Sequence, residues 1–188
     1  MRRLMKLAVF VGLLSLCVGV VPAGGAVRIR LLEFSNSEPE WVVVNDGVMG
    51  GVSSSSVTRA SGLLTFAGRV RLENNGGFAS TRSATVAKPV NAALRTATAL
   101  SLRVRGDGST YQLTLDTGTT WYWAAIAPQR GAWTTLDIPF SDLRPHGRFG
   151  DLLTGPSYDG EALRSIGLLI SNKRAEKFRI SLDWLAIR

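Results

Sequence analysis

The sequence predicts an all-β sandwich, with one or two short helices, over residues 27–188. Three observations carry this. Apolar and polar residues alternate with a period of two along stretch after stretch. Glycine and Asn/Asp turn signals separate those stretches. Helix signals are scarce.

The elements follow in order. Successive side chains on a strand face opposite sides, so alternation identifies the buried face. Strands are expected at Ile29–Phe34, Trp41–Val44 and Gly51–Val57. In "LLTFAGRVRLE" the inward set is Leu64, Phe66, Val70 and Leu72, with Thr65, Arg69 and Arg71 outward. Phe78–Ser83 follows. "LSLRVRGDG" turns Leu100, Leu102 and Val104 inward and Ser101, Arg103 and Arg105 outward. "YQLTLD" buries Tyr111, Leu113 and Leu115. Trp121–Ala127, Trp133–Ile138 and Ile166–Ser171 come next. "FRISLDWLAI" closes the chain with Phe178, Ile180, Leu182 and Trp184 inward. The turns are Asp46-Gly47, Asn75-Gly76-Gly77, Gly106-Asp107-Gly108, Gly118 and Gly131. Asp159–Ser165 reads as a short helix capped by Asp159, and Ser141–Pro156 as a long ordered loop.

Residues 1–26 read as a signal peptide. Arg2, Arg3 and Lys6 precede the apolar run Leu7–Val21, and Pro22 to Ala26 supply small residues for cleavage. As a helix that run spans roughly 22 Å against a bilayer core of about 30 Å, so no stable span is expected after cleavage. An uncleaved anchor is the alternative. The expected location is exported, periplasmic or secreted. Cys17, the chain's one cysteine, lies inside the leader, so the mature domain relies on core burial and not on disulfides. The formal charge of +8 falls by 3, to +5, when the leader's three basic residues are removed. No basic stripe interleaves with aromatics, which argues against nucleic acid as a partner.

The stretch "WVVVNDGVMGGVSSS", Trp41–Ser55, needs a reading of its own. It is not a phosphate cradle, because Ser53–Ser56 is poor helix material and the glycine spacing fits no nucleotide motif. The structural reading makes Asn45-Asp46-Gly47 the turn, returns Val48 and Met49 to the core, and lets Gly50 and Gly51 admit a close backbone approach. The competing reading makes Asn45, Asp46 and Met49 a binding lip.

No catalytic set is expected. His146 is the chain's one histidine and reads as a solvated loop residue. With no mature cysteine, a zinc site of the His/Cys type is excluded. Neither a metal nor a cofactor is expected. Asp46, Glu73, Asp107 and Asp116 are the candidates for a paired-carboxylate hydrolase, but they also sit where solvated structural carboxylates sit. Binding has two candidate groups. Trp121 and Trp123 share one strand face and Tyr122 takes the other; burial of both tryptophans is the stronger expectation, an aromatic platform the weaker. Arg82, Arg103 and Arg105 form the second group, either bridged as Arg105–Asp107 and Arg82–Asp46 or left open to an anionic partner.

Six segments in order resemble the complex I intermediate-associated protein 30 family: Trp41 to Ser53, "FAG" at Phe66 to Gly68, Leu72 to Arg82, Arg103 to Tyr111, Trp133 to Pro145 and Ile166 to Lys173. The resemblance implies a jelly-roll sandwich of the galactose-binding type and a non-catalytic role, since mitochondrial members assist assembly of respiratory complex I. Related sandwiches bind sugars. One departure is local: "RAEKF" after Lys173 lacks the glycine expected before the last strand. The expected function is a protein-binding module, an assembly factor or chaperone for a membrane-associated complex. The alternative is a carbohydrate-binding module for cell-envelope glycans.

Overall fold

The computed structural model describes residues 29–34, 40–86, 88–147 and 150–188. The leader, with its expected cleavage, lies outside them. Two six-stranded antiparallel sheets pack face to face. The first runs β3 (Ser54–Ala60), β4 (Leu63–Arg69), β12 (Lys177–Ile187), β6 (Ala99–Arg105), β9 (Thr134–Pro139), with β1 (Ile29–Leu32) also paired to β12. The second runs β10 (Arg144–His146), β8 (Trp121–Ile126), β7 (Tyr111–Asp116), β11 (Ser165–Ile170), β5 (Ala79–Ser83), β2 (Trp41–Asn45). The chain passes repeatedly between sheets, as a jelly roll does.

The inward set is largely the one the alternation selects. Leu64, Phe66, Val70, Leu100, Leu102, Val104, Tyr111, Leu113, Leu115, Ile166, Leu168, Phe178, Ile180 and Leu182 fill the space between the sheets. Apolar area removed from water at about 25 cal/mol per Å² drives this assembly. Ser101 and Ser181 sit on the outer face as expected, yet both are buried by neighbours; Ser181 Oγ lies 3.0 Å from Thr65 Oγ1.

Several expectations fail for local reasons. β4 ends at Arg69, so Leu72 leaves the alternation and stays 43% exposed. Trp184 lies outside the core cluster because β12 carries a bulge: Leu182 opposes Val104 but Trp184 opposes Arg103. The extra residue, Asp183, reverses the facing, so Leu185 and Ile187 take the inward positions instead. Trp184 meets the Arg30 guanidinium, 5.6 Å from its ring.

The helix expected at Asp159–Ser165 does not form. Asn91 donates its side-chain N–H to the Leu163 carbonyl (3.0 Å) and accepts the Leu163 N–H (2.9 Å), so both backbone groups of Leu163 are taken from helical pairing. Asp159 instead accepts the Glu161 N–H at 3.1 Å. The helix is α1, Lys88–Leu94, which the sequence reading missed; Asn91 belongs to it, and Leu94 is fully buried. Pro89 near its start suits a first helical turn. The loop expected at Ser141–Pro156 contains the strand β10.

The glycine expected in the segment after Lys173 is not needed there, since Arg174, Ala175 and Glu176 take no positive φ; the left-handed residue is Lys173 itself, with φ of 56°. An L-residue with a Cβ is disfavoured there. Lys173→Gly is therefore expected to raise unfolding free energy by about 0.5–1 kcal/mol, read by urea denaturation.

Candidate functional site

The family-like loop begins where β2 ends. Asn45 keeps extended backbone, and Asp46–Met49 forms one 3-10 turn, closed by Gly50 at φ of 88°. The left-handed residue is thus Gly50, not Asn45, Asp46 or Gly47. The loop is also no hairpin: it carries the chain from the second sheet into β3 of the first.

Asp46 explains the loop. Its side chain is fully buried. Oδ1 accepts the Ser53 N–H at 2.9 Å. Oδ2 accepts the Ser53 hydroxyl at 2.5 Å, the Gly77 N–H at 2.7 Å and the Phe78 N–H at 3.3 Å. Burial pushes the carboxyl pKa up, but these hydrogen bonds, led by the Ser53 hydroxyl, outweigh it and hold it below its ordinary value. Ser53 Oγ also accepts the Arg71 N–H at 2.9 Å. Asn74 Nδ2 donates to the Gly50 carbonyl at 3.1 Å. Asn45 Oδ1 accepts the Ser55 hydroxyl at 2.6 Å.

The glycines serve that carboxylate. A Cβ on Gly51 would lie 2.4 Å from Asp46 Cγ, and one on Gly76 would lie 2.6 Å from Oδ2. The close approach expected at Gly50-Gly51 is real at Gly51, but the approaching group is a side chain, not a second backbone. With its short turn tied down, the loop cannot return Val48 and Met49 to the core. They stand 74% and 54% exposed. Val48 and Met49 thus make an apolar corner of the loop beside the β2 edge; Val42, Val43, Val52 and Leu72 are exposed as well, Val42 and Val43 on opposite faces of β2.

The second sheet's outer face holds another group. Tyr122 faces the core, while Trp121 and Trp123 face outward and are half-buried, against the expectation that both would be core. The reason is register: Tyr122 opposes inward Leu115, and the tryptophans oppose Asp116 and Thr114. His146 is no solvated loop residue. It lies on β10 and stacks on Trp123 at 4.7 Å and 10°, donating from Nδ1 to the Arg144 carbonyl at 2.8 Å in that tautomer. The Gly150 backbone closes on the same indole, whose Nε1 is buried and finds no acceptor among the described residues. Arg82 reaches over Gly167 to place its guanidinium 5.8 Å from the Trp121 ring. Both indoles are thus partly covered.

The first sheet's outer face holds the rest. Arg103 and Arg105 flank Trp133 at 5.6 and 4.9 Å, and Arg103 pairs with Asp183 at 3.4 Å. Neither bridge considered from sequence forms. Asp46 is saturated as above. Asp107 accepts the Ser109 N–H (2.9 Å), the Tyr111 hydroxyl (3.0 Å) and the Arg179 N–H (2.7 Å). Asp116 is buried, not solvated; it accepts from Arg164 Nε at 3.0 Å and from the Gly118 N–H at 2.8 Å. Glu73 is exposed and paired to Arg71, whose guanidinium brings its pKa down to about 2.

The candidate residues therefore fall into three places. Asn45, Asp46 and Met49 form the corner; Arg82, Trp121, Tyr122 and Trp123 belong to one sheet; Arg103, Arg105 and Asp107 belong to the other. The sequence reading missed Val48 and Leu72 as surface residues and Trp133 as the seat of two arginines. It could have weighted Val48-Met49 outward from the Gly50-Gly51 pair that follows them.

The architecture defines a class: a jelly-roll sandwich of the kind found in binding modules. It is similar to the family 11 carbohydrate-binding module from Clostridium thermocellum in complex with a β-1,3-1,4-mixed-linked tetrasaccharide, at 16% identity over 87% of this chain and 97% of that one, TM-score 0.60. The same family's module from the cellulosomal cellulase Lic26A-Cel5E of that organism matches at 14% identity over 87% and 96%, TM-score 0.58. An exo-beta-agarase matches at 11% over 86% and 25%, TM-score 0.53. At these identities the likeness shows the fold. No curated protein matches in sequence. Residues 32–182 match the family described as Complex I intermediate-associated protein 30, and the chain belongs to that family.

Two outcomes test the buried clamp. Asp46→Ala leaves four donors without their acceptor and is expected to lower stability by at least about 3 kcal/mol. Because the folded pKa lies below the unfolded value near 3.9, this contribution is present above about pH 4 and is lost as pH falls through the folded pKa. Asp46→Asn, compared with wild type by denaturation at pH 7 and pH 3, should show the larger deficit at pH 7.

Proposed function

We propose that this chain is a non-catalytic docking module, exported by its leader, that assists assembly of a membrane-associated protein complex. The observation that carries the reading is the apolar corner. A buried carboxylate fixes the loop that displays Val48 and Met49 to solvent. Large apolar side chains held rigidly outward mark a protein interaction site, because no ordering entropy remains to be lost there on binding. Membership of the Complex I intermediate-associated protein 30 family supports an assembly role. The carboxylates first considered for hydrolysis support a non-catalytic reading: Asp46, Asp107 and Asp116 each spend their oxygens on structural donors.

A second reading has its own support. Trp121 and Trp123 face outward on one strand, and a sandwich of similar fold binds a mixed-linked tetrasaccharide. On this second reading the outer face of the second sheet would bind glycan. The partial covering of both indoles ranks it below protein docking.

Crosslinking capture from envelope fractions separates the two. Val48→Asp with Met49→Asp should reduce capture of a specific protein at least about tenfold, as charge enters an apolar contact. Circular dichroism should be unchanged, since both residues are exposed. Saturable binding on a glycan array that Trp121→Ala abolishes, with no protein captured by wild type, would replace docking with the glycan reading.

A further inference from the structure

The outer face of the first sheet carries a set of cations that the docking corner does not use. Residues at 65, 67, 69 on β4, 103 and 105 on β6 and 177, 179, 181 on β12 share that face, because their neighbours Phe66, Val104, Phe178 and Ile180 are inward. Arg69, Arg105, Lys177 and Arg179 are exposed on it, and none lies within ion-pair distance of a carboxylate among the described residues. Arg69 and Lys177 directly oppose each other in the register. Like charges on opposing positions are unfavourable. Among the described residues no ion pair offsets that arrangement.

The nearby acids make no ion pair with these four cations, and their oxygens are held by other groups. Asp107 is occupied by Ser109, Tyr111 and the Arg179 backbone, Glu176 by Ser109 and Asn172, and Asp183 by Arg103. Between the cations the floor is small and flat: Ala67, Ser56 and Ser181. Arg105 and Arg179 border a shallow depression with Gly106, Asp107, Gly131 and Ser181, so Arg69 and Lys177 lie on the more strongly cationic part of the face.

We propose that this face seats on an anionic lipid surface, with phosphate headgroups meeting Arg69, Arg105, Lys177 and Arg179. Charge complementarity selects an anionic partner. The two-dimensional spread of the cations over three strands matches a plane of headgroups better than a single polymer chain. The aromatic rings of the face are already taken, Trp133 by Arg103 and Arg105 and Trp184 by Arg30, so none is offered for stacking on a sugar or a base. The exposed large apolar residues lie elsewhere, at the β2 corner and at Leu152–Leu153, so contact is peripheral and salt-reversible. The inference goes beyond protein docking: it orients the module on a membrane.

The test is co-sedimentation of the purified protein with vesicles of phosphatidylcholine containing a quarter phosphatidylglycerol, against vesicles of phosphatidylcholine alone. Binding is expected only to the anionic vesicles, and high salt should release it. Arg69→Gln and Arg179→Gln should each weaken it about fivefold, and the double variant multiplicatively. Arg69→Lys with Arg179→Lys should retain it, showing that charge and not folding is read. The Val48→Asp, Met49→Asp protein should bind vesicles as wild type does, which separates this test from that of the docking corner. Equal sedimentation with neutral vesicles, wild-type binding by the double Gln variant, or stronger retention on soluble polyuronate than on anionic vesicles overturns the proposal.

Discussion

The structure depends on one buried carboxylate. Asp46 sits where the chain leaves the second sheet for the first, and it gathers Ser53, Gly77 and Phe78 around two oxygens. A buried charge is tolerated when each lone pair finds a donor, and here the donors come from segments 31 and 32 residues away as well as from the next turn. The clamp thus ties the β2–β3 crossover to the β4–β5 crossover, both at one end of the sandwich. Gly51 and Gly76 are required because a Cβ at either would occupy the carboxylate's space.

What that clamp releases is as important as what it holds. With the loop fastened from below, Val48 and Met49 have no route to the core and become the corner of the molecule. The two sheet faces then carry different chemistry. One presents half-covered indoles, crossed by Arg82; the other presents cations over a floor of small residues. The bulge at Asp183 contributes to the second face by turning Trp184 outward beneath Arg30, while Leu185 and Ile187 complete the interior. A single extra residue in the longest strand therefore decides both a core position and a surface one.

Alternation read in sequence found the interior of β4, β6, β7 and the first half of β12 because a strand's side-chain period is fixed by covalent geometry. It failed at Leu72 and Trp184, where a strand end and a bulge change the phase. Size and hydrophobicity favour an inward Trp121 and Trp123 over an outward platform, yet Tyr122 takes the core because its register partner is Leu115. His146 read as a loop residue because β10 is three residues long and pairs only with β8. The non-helical placement of Leu163 depends on Asn91, 72 residues away, which no local pattern encodes.

By itself, then, the sequence established the sandwich, the inward face of its regular strands and a tight glycine-rich loop after the strand at Trp41. Those are consequences of local periodicity and of backbone space near glycine. The tertiary structure alone decided that Asp46 is an acceptor for distant amides, that Val48 and Met49 face water, and that Arg69, Arg105, Lys177 and Arg179 share one open surface. Each of these rests on which strands become neighbours, and neighbour choice is set by the packing of two whole sheets rather than by any short run of residues.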